Sequence, residues 1–313
     1  MKILVTGSSG LVGTTLVSAL ARGGHTVCRL VRPESAGGEG AKEGFAVAWN
    51  PATGELGGAG VGADAVVNLA GASIADGRWT NQRKALLRSS RIDTTRALVG
   101  ALAKMNARPS VLVSASAIGY YGDRGDETLT EESKPGADFL AGLAQEWEAE
   151  ALKAETLGIR VVLARFGIIL AREGGALPKM MLPFKIGAGG KLGSGQQWMS
   201  WVTLEDVVGI LRFAIVGASL KDAVNIAPAR GAINIVSPQP LRNAEFTKVL
   251  AKALRRPALF PAPAFALRLA LGEMAGALLL SSQRVLPPAI EKLGYRFLHA
   301  DLTAALAAVL AKS

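Results

Sequence analysis

Apolar residues in the N-terminal part of the chain follow two different periods. Residues 3–5 form a short continuous apolar run, and after a glycine-rich break the apolar residues between 12 and 20 recur at helical spacing. A second strand-like segment, in which four of seven residues are apolar, covers residues 25–31. The pattern predicts a strand, a turn, an amphipathic helix and a second strand, which together form a βαβ unit.

The same alternation continues along the chain. It predicts helices at residues 80–105, with Thr80 as N-cap, and 138–157, and further strands at residues 45–49, 64–71, 110–116 and 159–164. Regularity weakens after that, and residues 187–195 are typical of a glycine-rich loop. Strands that alternate with helices predict an α/β protein with an open parallel sheet, followed by a smaller domain folded over the first.

Composition limits the class of protein. The chain has 313 residues, of which 50% are apolar and 19% charged, so it can bury a full core. Cys28 stands alone, which excludes an internal disulfide and a thiolate metal site and suits a reducing cytoplasm.

Residues 261–282 are the most apolar stretch, but Arg268 and Glu273 interrupt them, so a packed helix is favoured over a membrane span. The first residues run directly into a core strand and leave no room for a signal peptide, so we expect a cytoplasmic protein with no membrane association.

The net charge of +10 calls for an explanation. Basic residues concentrate between Arg78 and Arg96, but Trp79 is the only aromatic among them and no recognition module is apparent. We therefore expect a solvated or anion-facing helix face, and nucleic-acid binding is the weaker alternative. The acidic residues between 123 and 133 do not have the spacing of a calcium loop, and no metal site is predicted.

The glycine-rich break between the first strand and helix carries the strongest chemical signal. It reads Thr6-Gly7-Ser8-Ser9-Gly10-Leu11-Val12-Gly13. Glycines in such a turn let a pyrophosphate approach the backbone amides at the positive end of the helix. The alternative is an ordinary tight turn whose glycines serve packing, but the complete βαβ unit favours dinucleotide binding.

The end of the second strand indicates which dinucleotide binds. An NAD-preferring site places an acid about twenty residues after the glycine turn to hold the ribose 2′-hydroxyl. Arg32 stands there instead. A guanidinium binds a 2′-phosphate, so the sequence favours NADP (NADPH) over NAD, with an exposed surface arginine as the alternative.

Further candidate residues lie where later strands end. Ligands of open parallel sheets bind at the carboxyl ends of the strands. Asn68-Leu69-Ala70-Gly71 is predicted to line the ribose and pyrophosphate, although each residue could equally serve core packing. Ser114, near the end of the strand at 110–116, and Arg165, directly after the strand at 159–164, are further candidates for cofactor binding. Ser116, Tyr120 and Tyr121 follow at the end of the strand at 110–116 and are candidate catalytic residues.

These motifs together resemble the extended short-chain dehydrogenase/reductases, in particular an atypical subgroup of the NAD(P)-dependent epimerase/dehydratase family with its own C-terminal domain. Residues 217–230 fit less well and are interpreted as a local insertion. The resemblance covers nearly the whole chain and rests on the glycine motif, on Asn68-Leu69-Ala70-Gly71 and on residues 88–95, 114–122, 195–201, 206–208 and 234–297.

The resemblance implies a Rossmann-like doubly wound parallel sheet over residues 1–168, with contributions from about 195–215, and a smaller C-terminal α/β substrate domain over residues 169–313. It also implies a catalytic tyrosine, a lysine four residues later and a serine on the neighbouring strand. Ser116 matches the serine. No Tyr-x-x-x-Lys occurs, because only Tyr120, Tyr121 and Tyr295 are present, and Phe139 and Leu143 stand at that spacing on the expected helix.

Two functional hypotheses follow. The first is an NADP-binding oxidoreductase or epimerase-type enzyme, monomer or homodimer, that acts on an unidentified small molecule with Ser116 and Tyr120 or Tyr121 near the reacting atoms. The second is a catalytically silent NADP-binding sensor or scaffold, which the missing tyrosine and lysine favour. Hydrolysis is disfavoured because no Gly-x-Ser-x-Gly occurs.

Overall fold

The computed structural model of the protein describes residues 1–33, 45–57, 62–217 and 227–311. The interpretation of residues 217–230 as an insertion therefore falls largely outside the described part of the chain. The strands are β1 Lys2–Thr6, β2 Thr26–Val31, β3 Phe45–Asn50, β4 Glu55–Leu56, β5 Ala65–Asn68, β6 Val111–Ala117, β7 Thr128–Leu129, β8 Arg160–Phe166, β9 Ile168–Leu170, β10 Trp198–Met199, β11 Trp201–Thr203, β12 Gly231–Ile235, β13 Leu241–Arg242 and β14 Arg284–Val285.

Helices connect these strands. They are α1 Leu11–Arg22, α2 Asn81–Ala103, α3 Phe139–Leu152, α4 Ala176–Lys185, α5 Leu204–Val216, α6 Asn243–Leu254, α7 Ala264–Leu271, α8 Glu273–Ala275, α9 Pro288–Lys292 and α10 Leu302–Ala311. Short 3-10 helices cover Ile118–Tyr121 and Lys153–Leu157, and a π-helical turn covers Gly276–Leu280. No helix in the described ranges is both long enough and apolar enough to cross a bilayer.

The main sheet has the order β12-β8-β6-β5-β1-β2-β3-β4 and is parallel except where β4 joins β3. The chain runs outward from β1 in one direction and then restarts on the other side of β1 with β5, so the strand order reverses between β1 and β5. In sheets of this type ligands bind outside the carboxyl ends of the strands at such a reversal. The register brings the end of β1 beside the ends of β5 and β2, since Thr6 lies opposite Asn68 and Leu30.

Helices cover both faces of the sheet, as a doubly wound fold requires. On one face α1 and α5 bury apolar side chains that include Leu16, Leu20 and Leu211, and on the other α2 buries Leu98 and Leu102. The predicted fold class is thereby confirmed.

Local signals place the helix boundaries. The Thr80 side chain accepts a hydrogen bond from the Arg83 amide at 3.1 Å, so the predicted N-cap is confirmed. Asp138 caps α3 in the same way through the Ala141 amide at 2.8 Å. The regular part of α3 ends at Leu152, short of the predicted 157, because a 3-10 turn follows and Gly158 adopts a left-handed conformation.

Residues 169–313 differ from the sequence expectation in two respects. The single helix predicted over residues 261–282 is wrong, since Gly272 has φ +65° and separates α7 from the short α8. The strand β12 lies late in the chain but pairs with β8 and so extends the main sheet. Much of the remainder packs around a second apolar core that includes Trp201, Phe246 and Leu306. The domain limits themselves stay a prediction.

Candidate functional site

The glycine motif forms a turn in which two positions have no space for a side chain. Gly7 has φ +63°, and a Cβ there would lie 2.4 Å from the carbonyl oxygen of Leu69. A Cβ on Gly13 would lie 2.2 Å from the carbonyl oxygen of Gly7. The first contact brings the end of β1 against the chain that leaves β5, and the second packs α1 onto the turn. Glycine is therefore required at both positions for the packing of the turn, while the predicted approach of a pyrophosphate stays a prediction.

The N-terminus of α1 faces this turn with its amides open. Gly10 is the N-cap, it offers no capping side chain, and the first turn of the helix contains no acid. The amides of Leu11 and Val12 therefore have no intrahelical partner and point toward the carboxyl ends of the strands. Gly175 packs against the Leu11 side chain and borders the turn from the C-terminal half, since its Cβ would lie 3.1 Å from Leu11. A pyrophosphate group fits this arrangement of exposed backbone and positive helix end.

A buried hydrogen-bond network holds the strand ends beneath the turn. The Thr6 hydroxyl donates to the side-chain oxygen of Asn68 at 2.7 Å, and the Asn68 amide donates to Thr95 at 2.8 Å and Ser114 at 3.3 Å. The Trp147 indole donates to Thr95 at 2.9 Å. These bonds join β1, β5, β6, α2 and α3, and they fully occupy the side chain of Asn68.

The residues after Asn68 present their backbone to the crevice. The amides of Leu69 and Ala70 donate to the Thr6 hydroxyl at 3.1 and 3.2 Å, which fixes the turn. Gly71 is exposed at the surface of the crevice, whereas Asn68 is completely buried. Of the predicted ribose-lining segment, the part open to a ligand is thus residues 69–71, and Asn68 holds the strands together.

Two arginines flank the end of β2. Arg32 follows the strand directly and is exposed, and no carboxylate within the described ranges pairs with it. Arg29 lies within the strand, half-buried, with its Nε 3.4 Å from the hydroxyl of Ser8. Only Arg32 was predicted from the sequence. Arg29 could have been identified as well, because a charged residue inside an otherwise apolar strand indicates a specific role for its side chain.

A further cation beside the crevice was also missed. The Arg91 guanidinium donates to the carbonyl oxygens of Ala72 at 2.9 Å and Leu87 at 3.1 Å, and it lies over the ring of Trp147. A Cβ on Gly71 would lie 3.2 Å from its central carbon. Burial, with a smaller contribution from Arg83, lowers the pKa of Arg91 to about 10, so it still carries its charge at neutral pH.

The rest of the basic segment between Arg78 and Arg96 is largely engaged within the molecule. Arg78 and Arg83 donate to backbone carbonyls. Lys84 pairs with Glu273, Arg88 with Glu146 and Arg96 with Glu150. Carboxylates of this chain thus pair with three of these cations and carbonyls accept hydrogen bonds from two more, while the absence of nucleic-acid binding stays a prediction.

Ser116 donates its hydroxyl proton to a buried carboxylate. Its Oγ lies 2.6 Å from Glu148 of α3, and the same carboxylate accepts two hydrogen bonds from Arg165, both at 2.8 Å. Ser116 is 2% exposed. Burial alone would lower the pKa of Arg165, but the hydrogen bonds and charge of Glu148 outweigh it and raise that pKa, so the guanidinium keeps its charge. Glu148 was not predicted from the sequence as a site residue, although it lies next to Trp147 on the buried face of α3.

The two candidate tyrosines have different surroundings. The Tyr121 ring is completely buried, and its hydroxyl accepts from Arg165 at 2.9 Å and donates to Asn234 at 2.7 Å. Burial raises the pKa of Tyr121 to about 12, which makes it a poor proton donor at neutral pH. Tyr120 is half-buried beneath the Arg165 guanidinium, which lies 3.5 Å from its ring centre. Its hydroxyl has no hydrogen-bond partner within the described ranges.

Arg165 was predicted as a cofactor-binding residue, and its surroundings leave it little freedom. All three of its guanidinium nitrogens donate to Glu148 or Tyr121, and Tyr120 covers its face. Its immediate role is to join β8, α3 and the segment after β6.

Phe139 and Leu143 occupy the positions of the absent tyrosine and lysine. Leu143 is buried with Trp79 and Met274 in an apolar cluster, and Phe139 packs against that cluster from its edge. The Trp79 and Phe139 rings meet edge to face at 5.3 Å. The C-terminal segment that contains Met274 therefore packs over these two positions, and the Lys84 ammonium lies 4.8 Å from the centre of the Phe139 ring.

The sequence of the larger part of the chain matches a known family. The family model described as "NAD dependent epimerase/dehydratase family" matches residues 3–227. The chain belongs to the NAD-dependent epimerase/dehydratase family. Residues 262–309 match a second model, a domain of unknown function called DUF1731. The resemblance inferred from the motifs is confirmed.

Relatives in this family extend over the whole chain. Epimerase family protein Mb2239 of Mycobacterium bovis is 42% identical over 97% of this chain and 96% of its own, and Epimerase family protein YfhF of Bacillus subtilis is 38% identical over 99% and 98%. The crystal structure of human epimerase family protein SDR39U1 with NADPH superposes with a TM-score of 0.86 at 31% identity and covers 100% of both chains.

The buried pair of this family member provides a test of the site's architecture. The substitution Glu148→Gln keeps the shape of the side chain at position 148 but removes the carboxylate that pairs with Arg165. Because this leaves the Arg165 charge buried without a counter-charge, the free energy of unfolding should fall by about 3 kcal/mol. Glu146→Gln is the matched control on the same helix, because its pair with Arg88 is exposed, and it should change stability by less than about 0.5 kcal/mol. Urea denaturation of the two variants measures the difference, and equal stabilities would contradict the assigned role of the pair.

Proposed function

We propose that this chain binds NADPH in the crevice at the glycine turn and works as an oxidoreductase or epimerase-type enzyme on a small molecule. The observation that carries the proposal is the uncapped N-terminus of α1, whose open amides border the turn that Gly7 and Gly13 allow to pack tightly. NADPH in the structure of the human relative supports the same choice of ligand.

The proposal gives particular groups of this chain particular tasks. The amides of Leu11 and Val12 bind the pyrophosphate, and Arg32 binds the 2′-phosphate of the adenosine ribose. Arg91 adds positive charge beside Gly71. The bound cofactor supplies a hydride, which its nicotinamide ring carries. The hydroxyl of Tyr120 is our candidate for the proton, because it is the one of the three predicted catalytic hydroxyls without a partner in the described ranges.

The buried hydroxyls have a supporting task under this proposal. Ser116 and Tyr121 hold the Glu148–Arg165 pair, and the pair holds the ring of Tyr120 in position through the cation on its face. Tyr120 is thus fixed by packing and not by a hydrogen bond to its own hydroxyl, which leaves that oxygen free for a substrate.

Cofactor choice is the first test. The wild-type protein should bind NADPH at least tenfold more tightly than NADH in a fluorescence titration, and Arg32→Met should remove most of that difference because it deletes a charged contact to the 2′-phosphate. Arg22→Met, an exposed arginine at the last turn of α1, controls for the loss of one positive charge. Binding of neither nucleotide to the wild type would refute the proposal.

A second candidate function is a sensor or scaffold that binds NADPH without turnover. The apolar packing of Phe139 and Leu143 against the C-terminal segment favours it, since this packing leaves no relay of the usual kind. Transfer of deuterium from labelled NADPH to carbonyl compounds distinguishes the two candidates. We expect transfer to a defined compound that falls at least tenfold in Tyr120→Phe, whereas its absence with a wide set of aldehydes and ketones would favour the sensor.

A further inference from the structure

Arg29 occupies an unusual place for a cation. It lies in the middle of β2, a parallel strand with neighbours on both sides, on the sheet face that α1 covers. Val27 points to the same face two residues earlier and is 2% exposed in the core beneath α1. A charged side chain in a strand of this kind is costly unless it reaches solvent or a partner.

The guanidinium of Arg29 is directed along the strand to the glycine turn. Its Nε lies 3.4 Å from the hydroxyl of Ser8, a residue that is itself 4% exposed. Ser8 lies between Gly7 and Ser9, so Arg29 lies beside the loop that borders the proposed cofactor crevice. Within the described ranges neither terminal nitrogen of Arg29 has an acceptor, and no carboxylate pairs with it.

The residues that follow Arg29 at the end of β2 leave its guanidinium without a competing or neutralising group. Val31 points to the same face as Arg29 and carries no polar group, so it neither competes with an anion nor neutralises the cation. Arg32 follows at once and, being three residues from Arg29, begins on the opposite face of the strand. The two arginines therefore approach the carboxyl end of β2 from its two sides.

We infer that Arg29 is a second determinant of cofactor specificity, which binds the 2′-phosphate together with Arg32 and is positioned by Ser8. The inference rests on the proposed function, because it concerns the same nucleotide. A 2′-phosphate carries close to two negative charges and several acceptor oxygens, more than one guanidinium satisfies. Arg29 supplies donors from the side of α1 and Arg32 supplies them from the opposite side.

The experiment compares nucleotides that differ only in the 2′-phosphate. Dissociation constants for NADPH and NADH, and for adenosine 2′,5′-bisphosphate and AMP, are measured for the wild type, Arg29→Met and Arg22→Met. Arg29→Met should weaken NADPH and the bisphosphate at least tenfold and leave NADH and AMP within twofold. Arg22→Met, the control for net charge, should leave all four within twofold.

A second variant guards against a general effect on folding. Arg29→Lys keeps the charge but not the planar fork, so it should weaken the two 2′-phosphorylated ligands less than Arg29→Met does and still spare the others. Thermal unfolding without ligand identifies any loss of fold.

The results for Arg29→Met and for the wild type test the inference and the proposed function separately. An Arg29→Met protein that loses affinity for NADPH and NADH equally would show that Arg29 only supports the loop, and one that behaves like Arg22→Met would show that it has no part in binding. Either result overturns the inference while the NADPH preference of the wild type stands. A wild type without that preference refutes the proposed function itself, and the inference with it.

Discussion

The close approach of Gly7 to the carbonyl of Leu69 determines much of what surrounds it. A Cβ on Gly7 would lie 2.4 Å from that oxygen, so the ends of β1 and β5 can meet only through glycine. The Thr6–Asn68 hydrogen bond holds the same two strand ends from below. With the turn held this tightly, α1 begins directly after Gly10 with open amides. Backbone groups therefore line the crevice at the reversal of strand order.

A buried ion pair beside the crevice engages several of the polar groups that the sequence singles out. Glu148 and Arg165 lie among Ser116, Tyr120 and Tyr121, and two of these three predicted catalytic hydroxyls, those of Ser116 and Tyr121, are hydrogen-bonded to the pair. Two charges out of water are stable only with such a complete set of hydrogen bonds. The arrangement therefore gives rigidity, and among the three candidate hydroxyls it leaves that of Tyr120 without a hydrogen-bond partner in the described ranges.

The sequence predicted the Rossmann half of the molecule well, because its signals are local. Apolar periods, Thr80 as a cap and the glycine spacing each depend on neighbours in the chain. What it missed depends on contacts between distant segments. The pair Glu148–Arg165 joins α3 to β8, and Arg91 approaches Gly71 from α2. The position of β12 depends on its pairing with β8, which lies far from it in the sequence. The predicted helix over residues 261–282 failed for a local reason, since Gly272 has positive φ and ends α7.

A crystal structure determined at saturating NADPH tests the account most directly. The account predicts the pyrophosphate at the amides of Leu11 and Val12 and the 2′-phosphate within hydrogen-bond distance of Arg32. A crevice filled by the protein's own side chains, or a nucleotide whose 2′-phosphate points away from β2, would contradict it.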